Sequence, residues 1–163
     1  MKLYMKQKSL SFRARFTIKD ELERDLYTVS VEPVAFGRKL LIYDMSGIEV
    51  GSIQQKTFSI RPRYFLFENG KQTAELMKDF SILRPQYRLS GKNWEINSDT
   101  WAHTFEITNG RLPVASISKA WKTFGDSYEM DISHREDALL VIEIMIAIDC
   151  ITEQRAFAAL AGN

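Results

Sequence analysis

From Ala138 to Ile151 the chain reads Ala-Leu-Leu-Val-Ile-Glu-Ile-Met-Ile-Ala-Ile-Asp-Cys-Ile. Wound as a helix, this stretch offers water almost no polar face, and a helix that is apolar all round must be buried all round. Ser133-His134-Arg135-Glu136 precedes it in the order of a capping box, with Ser133 as N-cap and Glu136 reaching back to its amide. Asp137 adds negative charge to the first turn, where the helix dipole favours it. Length and cap favour a helix over a buried strand, spanning about residues 134–158. Glu143 and Asp149 interrupt the run, which falls short of the ~20 apolar residues a membrane span needs.

Residues before the helix alternate in the manner of strands. Phe12, Ala14, Phe16 and Ile18 share one parity and Arg13, Arg15, Thr17 and Lys19 the other, which sets apolar groups inward and basic groups outward. Similar runs cover 26–31, 39–44, 49–54, 63–68, 72–78, 86–89, 93–96, 103–107, 113–118 and 127–132. Asn69-Gly70 and Asn109-Gly110 have the composition of type I′ hairpin turns, in which both central residues take φ > 0. Ser46-Gly47, Ser90-Gly91 and Gly125-Asp126 are further turn candidates. About eleven or twelve short strands with tight turns, in one domain of 163 residues, predict a mainly β fold, an antiparallel barrel or sandwich. The lumen of a closed barrel is the place where such a chain can hide the helix on every side.

A repeated phrase fits similar hairpins. Lys56-Thr57-Phe58-Ser59-Ile60-Arg61-Pro62-Arg63-Tyr64 is echoed by Lys78-Asp79-Phe80-Ser81-Ile82-Leu83-Arg84-Pro85-Gln86-Tyr87. The shared pattern reads as lysine outward, aromatic inward, a bend, then Arg or Tyr on the returning strand.

These features together resemble the LURP-one-related family, whose members adopt the tubby C-terminal-like fold. The matching phrases are Leu3-Tyr4-Met5-Lys6-Gln7-Lys8, Arg15-Phe16-Thr17-Ile18-Lys19-Asp20, Ile42-Tyr43-Asp44, Trp101-Ala102-His103, Ile117-Ser118-Lys119-Ala120-Trp121, Gly125-Asp126-Ser127-Tyr128-Glu129-Met130-Asp131 and Ala147-Ile148-Asp149-Cys150. The resemblance implies a closed twelve-stranded antiparallel barrel around a central hydrophobic C-terminal helix, over residues 1–163 with strands at about 2–132. Plant members of that family are linked to defence, and the wider fold group includes phosphoinositide-binding tubby proteins and phospholipid scramblases. The lipid-binding basic motif of tubby matches no position here, so that analogy is one of fold.

Motifs for catalysis are missing from the sequence. It has no HExxH, CxxC or paired-histidine spacing, no G-x-S-x-G elbow and no phosphate-cradling glycine loop. A non-enzymatic protein with no metal or cofactor is the expectation. His103 shares a parity with Trp101, Phe105 and Ile107 and is expected to line the barrel; His134 is expected in solvent at the helix start. Cys150 reads as a small core residue, and could pair with His103 as a dyad only if the fold brought them together. Ser127, Glu129 and Asp131 alternate with Tyr128, Met130 and Ile132 and predict an outward acidic face rather than a Ca²⁺ site. Glu143 and Asp149 each require an Arg, Lys or backbone partner, or a place near a barrel mouth, because unpaired burial of a charge costs several kcal/mol.

Charge distribution points to a partner class. The formal net charge is +1, yet residues 1–92 hold 17 Lys+Arg against 10 Asp+Glu, and residues 93–163 hold 5 against 11. The basic half supplies a candidate ligand-binding face of Arg13, Arg15, Lys56, Arg61, Arg63, Lys78, Arg84 and Arg88, alongside Lys6 and Lys8. Anionic phospholipid headgroups on a membrane surface suit such a face, since each Lys or Arg near an anionic membrane adds ~1 kcal/mol. The alternative is a protein partner, in a regulatory module of stress or defence. Nucleic acid fits poorly, with no recognition motif and a pI near 7.8. Charges interrupt the first eight residues too early for a signal peptide, which favours a cytoplasmic protein, peripheral to a membrane if lipid is the ligand.

Overall fold

The computed structural model describes residues 1–6, 15–32, 34–79, 86–99, 103–120 and 127–162, with the backbone alone at 6, 120 and 155–161. Among these, twelve strands are followed by one helix: β1 (Lys2–Lys6), β2 (Arg15–Asp20), β3 (Asp25–Glu32), β4 (Lys39–Asp44), β5 (Glu49–Gln55), β6 (Arg63–Glu68), β7 (Lys71–Asp79), β8 (Gln86–Ser90), β9 (Glu95–Asp99), β10 (Thr104–Asn109), β11 (Leu112–Ala120), β12 (Ser127–Ile132) and α1 (Ala138–Ala161). Each strand pairs antiparallel with its neighbours in sequence, and β1 pairs with β12 to close the barrel. Closure leaves no sheet edge to template other chains.

Period-two alternation sorts the wall residues. Leu3, Met5, Ile18, Val29, Leu40, Ile42, Ile53, Tyr64, Leu66, Leu76, Ile107, Ile117 and Met130 point inward and are buried. They meet Leu140, Val141, Ile142, Ile144, Met145, Ile148 and Ile151 of α1 in one core. At about 1.5 Å per residue the 24-residue helix is about 36 Å long, longer than strands of five to nine residues can span. It therefore enters at one mouth and extends beyond the other. The connections at residues 21–24, 45–48, 69–70, 91–94 and 110–111 surround the mouth where α1 starts, here the proximal mouth. Those at 34–38 and 56–62 lie at the distal mouth.

Asn69 (φ 49°) and Gly70 (φ 75°) form the expected type I′ turn. At the other such dipeptide Asn109 stays in the strand opposite Leu112, and Gly110 (φ 60°) with Arg111 makes the loop. Glycine thus takes the first central position of that turn, not the second.

Four local expectations are corrected. Ser133 does not cap a helix: its amide continues the sheet by donating to the Val114 carbonyl, so the chain turns only at Arg135–Asp137, a 3₁₀ turn with no side-chain cap. His103 is exposed with φ 51°, because a left-handed residue there breaks the alternation before β10 begins. The repeated phrase keeps its outward lysine at Lys56, but Lys78 is only 4% exposed and Phe58 is 94% exposed, against expectation, while Phe80 lies outside the described residues. Lys78 falls on the inward parity of β7 with Ala74 and Leu76, and its ammonium lies 5.6 Å from the Tyr87 ring centre. Ser127 is buried, although Glu129 and Asp131 do face outward. Within the phrase, Tyr64 and Tyr87 do turn inward on the returning strands.

Ile144 is wholly buried in the middle of this arrangement. Ile144→Ala should lower the free energy of unfolding by about 2–5 kcal/mol, seen as a lower urea midpoint at unchanged m-value.

Candidate functional site

Four of the eight basic candidates converge. Arg61, Arg63, Lys78 and Arg88 lie on or beside the adjacent strands β6, β7 and β8 at the distal rim, with Arg63 opposite Met77 and Met77 opposite Arg88. Lys56 stands next to them, its amide bonded to the Arg63 carbonyl and its ammonium 5.8 Å from the Phe65 ring centre. Arg15 is exposed on β2, with β3, β4 and β5 between it and β6. Arg13 and Arg84 lie outside the described residues.

The pairing of these cations leaves a surplus of positive charge. Arg61 and Arg88 both reach Asp79, one to each carboxylate oxygen at 2.9 Å, and Arg63 reaches Glu75 at 3.1 Å. Two guanidiniums on one carboxylate amount to a net charge of +1. Beside Arg88 the barrel wall parts, since β8 and β9 are joined by the single pair Tyr87–Ile96. A polar cleft of about 440 Å³ opens there, lined by Asp79, Gln86, Arg88, Asn97 and Ser98 among others. Guanidinium, amide and hydroxyl donors around one cleft suit an oxyanion.

A second polar group sits inside the lumen near the distal mouth. Arg38 bonds Glu153 of α1 at 3.1 Å and lies against the Cys150 thiol. Burial pushes that thiol up to about 12, with Arg38 opposing, so Cys150 is inert core as expected. The Tyr128 hydroxyl donates to Asp149 at 3.3 Å. Burial, then the nearby Glu153, raise Asp149 to about 6, while Tyr128, Lys119 and Arg38 oppose the shift. Asp149 thus has the polar surroundings expected of it.

Glu143 does not. It is 0% exposed, and neither carboxyl oxygen has a hydrogen-bond partner among the described residues. Burial is the main cause that raises it to about 9, reinforced by Glu68 and opposed by the Ser52 backbone amide. At neutral pH the group is an uncharged acid, which removes the need for a cation. Its place is made by Gly51 on β5, where a Cβ would stand 2.5 Å from Glu143 Oε1. The sequence signal for this contact was a glycine inside a strand pattern, which marks close approach of another group. For Arg38, which ties a distal connection to α1, no sequence signal was available, because its partner lies 115 residues away.

Comparison with known proteins gives the chain its relatives. The LURP-one-related family profile matches residues 1–149, taking in all twelve strands and α1 as far as Asp149. The chain belongs to the LURP-one-related family. A relative in Bacillus subtilis (strain 168), the uncharacterised protein YxjI, is 37% identical over 151 residues, covering 93% of each chain. The X-ray structure of a protein from Arabidopsis thaliana aligns with a TM-score of 0.61 at 16% identity, over 91% of this chain and 90% of that one. That likeness supports the barrel fold of this chain.

Proton linkage follows from the two lumen acids. The folded chain holds protons on Asp149 and Glu143 that the unfolded chain releases near pH 4, so stability declines as pH rises from there to about 6 and about 9 respectively. The thermal midpoint should fall between pH 6 and pH 9, and Glu143→Gln should flatten that fall in a calorimetric pH series. Gly51→Ala should lower the midpoint at every pH, and Glu143→Ala in the same chain should recover much of the loss.

Proposed function

We propose that the chain is a non-enzymatic binding module that recognises anionic phospholipid headgroups at a membrane surface. The observation that supports it most is the distal cluster in which Arg61 and Arg88 share Asp79 at the mouth of the polar cleft between β8 and β9. Arg63 and Lys56 extend the positive surface around that cleft. Lys78 lies buried beneath them on the inward side of β7. A phosphate in the cleft would take charge-assisted hydrogen bonds from the outward side of Arg88, and the surrounding cations would hold the protein on a negatively charged leaflet. Among the described residues, α1 packs the lumen with mainly apolar side chains. Among the described residues no helix is long and apolar enough to cross a membrane, and the module is proposed to act from the cytoplasm as a peripheral protein.

Flotation with vesicles separates this from a protein-binding role. The chain should float with phosphatidylcholine vesicles that contain phosphatidylglycerol and not with phosphatidylcholine alone, and raising salt should release it. Arg61→Glu with Arg88→Glu should weaken the partitioning by about tenfold or more. Equal behaviour toward the two vesicle types at low salt would sink the lipid reading and leave a protein ligand in a regulatory module as its replacement.

A further inference from the structure

The distal mouth carries more than charge. Phe58 is 94% exposed, Ile60 90% and Phe36 71%. They come from two connections packed together, residues 34–38 and 56–62: the Phe36 and Phe58 rings are 6.0 Å apart, and Gly37 (φ 80°) leaves room for Thr57, whose Cγ2 a Cβ there would meet at 2.9 Å. The Gln55 amide donates to the Arg38 carbonyl, fixing one connection to the other. Phe58 also holds a left-handed backbone, φ 57°, which is costly for an aromatic residue. Its backbone is thus held in an unfavourable region while its ring stands in water.

We propose that Phe36, Phe58 and Ile60 form a rim that inserts into the headgroup–acyl boundary of an anionic bilayer, while Lys56 and Arg61 on the same connection meet the lipid phosphates; this rests on the anionic-membrane reading above. Phe58 and Ile60 project at the end of the barrel and Phe36 borders a small cleft of about 250 Å³ beside them, so a soft, deformable partner can receive the three without a matching pocket. Charge selects the mouth. The proximal connections also expose apolar residues, Leu22, Met45 and Ile48, but there Asp20, Glu21, Glu23, Asp44 and Glu49 outnumber the neighbouring Lys19 and Arg24. An anionic leaflet repels that end and attracts the distal one. Aromatic and aliphatic groups flanked by cations are the composition with which peripheral proteins hold the membrane interface.

A solvent-sensitive fluorophore attached through Phe58→Cys reads insertion directly, because Cys150 is buried and does not compete for the label. With vesicles of phosphatidylcholine and phosphatidylglycerol, the emission should shift to the blue and be quenched by brominated acyl chains. The same label at Ile48→Cys, on the proximal mouth, should show neither change. Phe58→Asn with Ile60→Ser should reduce partitioning by about tenfold without lowering the thermal midpoint, since both side chains face water. A label at position 58 that stays in water while the chain still floats with anionic vesicles would overturn insertion and leave the basic patch standing. A blue shift without vesicles that grows with protein concentration would overturn it in favour of a second copy of the chain. Loss of flotation altogether removes the membrane reading itself.

Discussion

From Leu140 to Ile151 helix α1 is buried on every side, so this stretch needs partners all round along the lumen. A flat sheet covers one side of a helix and a sandwich two. Only a sheet bent into a tube supplies the rest, and the tube must close, because an open seam would expose both the helix and the backbone groups of two edge strands. Closure falls to β1 and β12, whose five register pairs run from Lys2–Asp131 to Lys6–Ser127. Strand alternation then has one workable phase, apolar inward. The short hairpins, the mouths and the position of every surface charge follow from that phase.

The same enclosure sets the chemistry of the two acids on the helix. In the lumen, a carboxylate must find polar surroundings or give up its charge. Asp149 lies near the distal mouth within reach of Tyr128, Lys119 and Arg38, and its shift is moderate. Glu143 packs against Gly51 with Glu68 nearby and is held neutral. Glu68 is itself raised, by burial first and by Asp137, with Lys92 opposing. One helix thus carries two carboxyl groups whose protonation differs because their walls differ.

Much of the wall was legible in the sequence because its signals are local. Parity identified Phe16 and Ile18 of β2 and Tyr128, Met130 and Ile132 of β12 as inward, and Asn69-Gly70 located a turn to the residue. Misreadings arose where a nonlocal contact overruled the local pattern. Ser133 had the makings of a cap but spends its amide on Val114, a partner brought in by the β11–β12 pairing. Lys78 reads as a surface residue until the phase of β7 is known. The candidate patch was half visible, since a count of charges along the chain shows where basic residues are abundant. It does not show that Asp79 draws Arg61 and Arg88 together, or that β8 and β9 part beside them.

The residues that fill the barrel come after all the residues that form its wall. During synthesis from the N-terminus, the twelve strands emerge before the helix they enclose, and β1 must wait for β12, about 125 residues later, to find its partner. Until then the apolar parity of each strand has nothing to bury against. Pairings between consecutive strands can form early, but the β1–β12 seam and the contacts of α1 come last, and such long-range contacts slow folding. Until the helix arrives, the inward apolar face of those paired strands stays uncovered, and exposed apolar surface of this kind makes a folding chain prone to association.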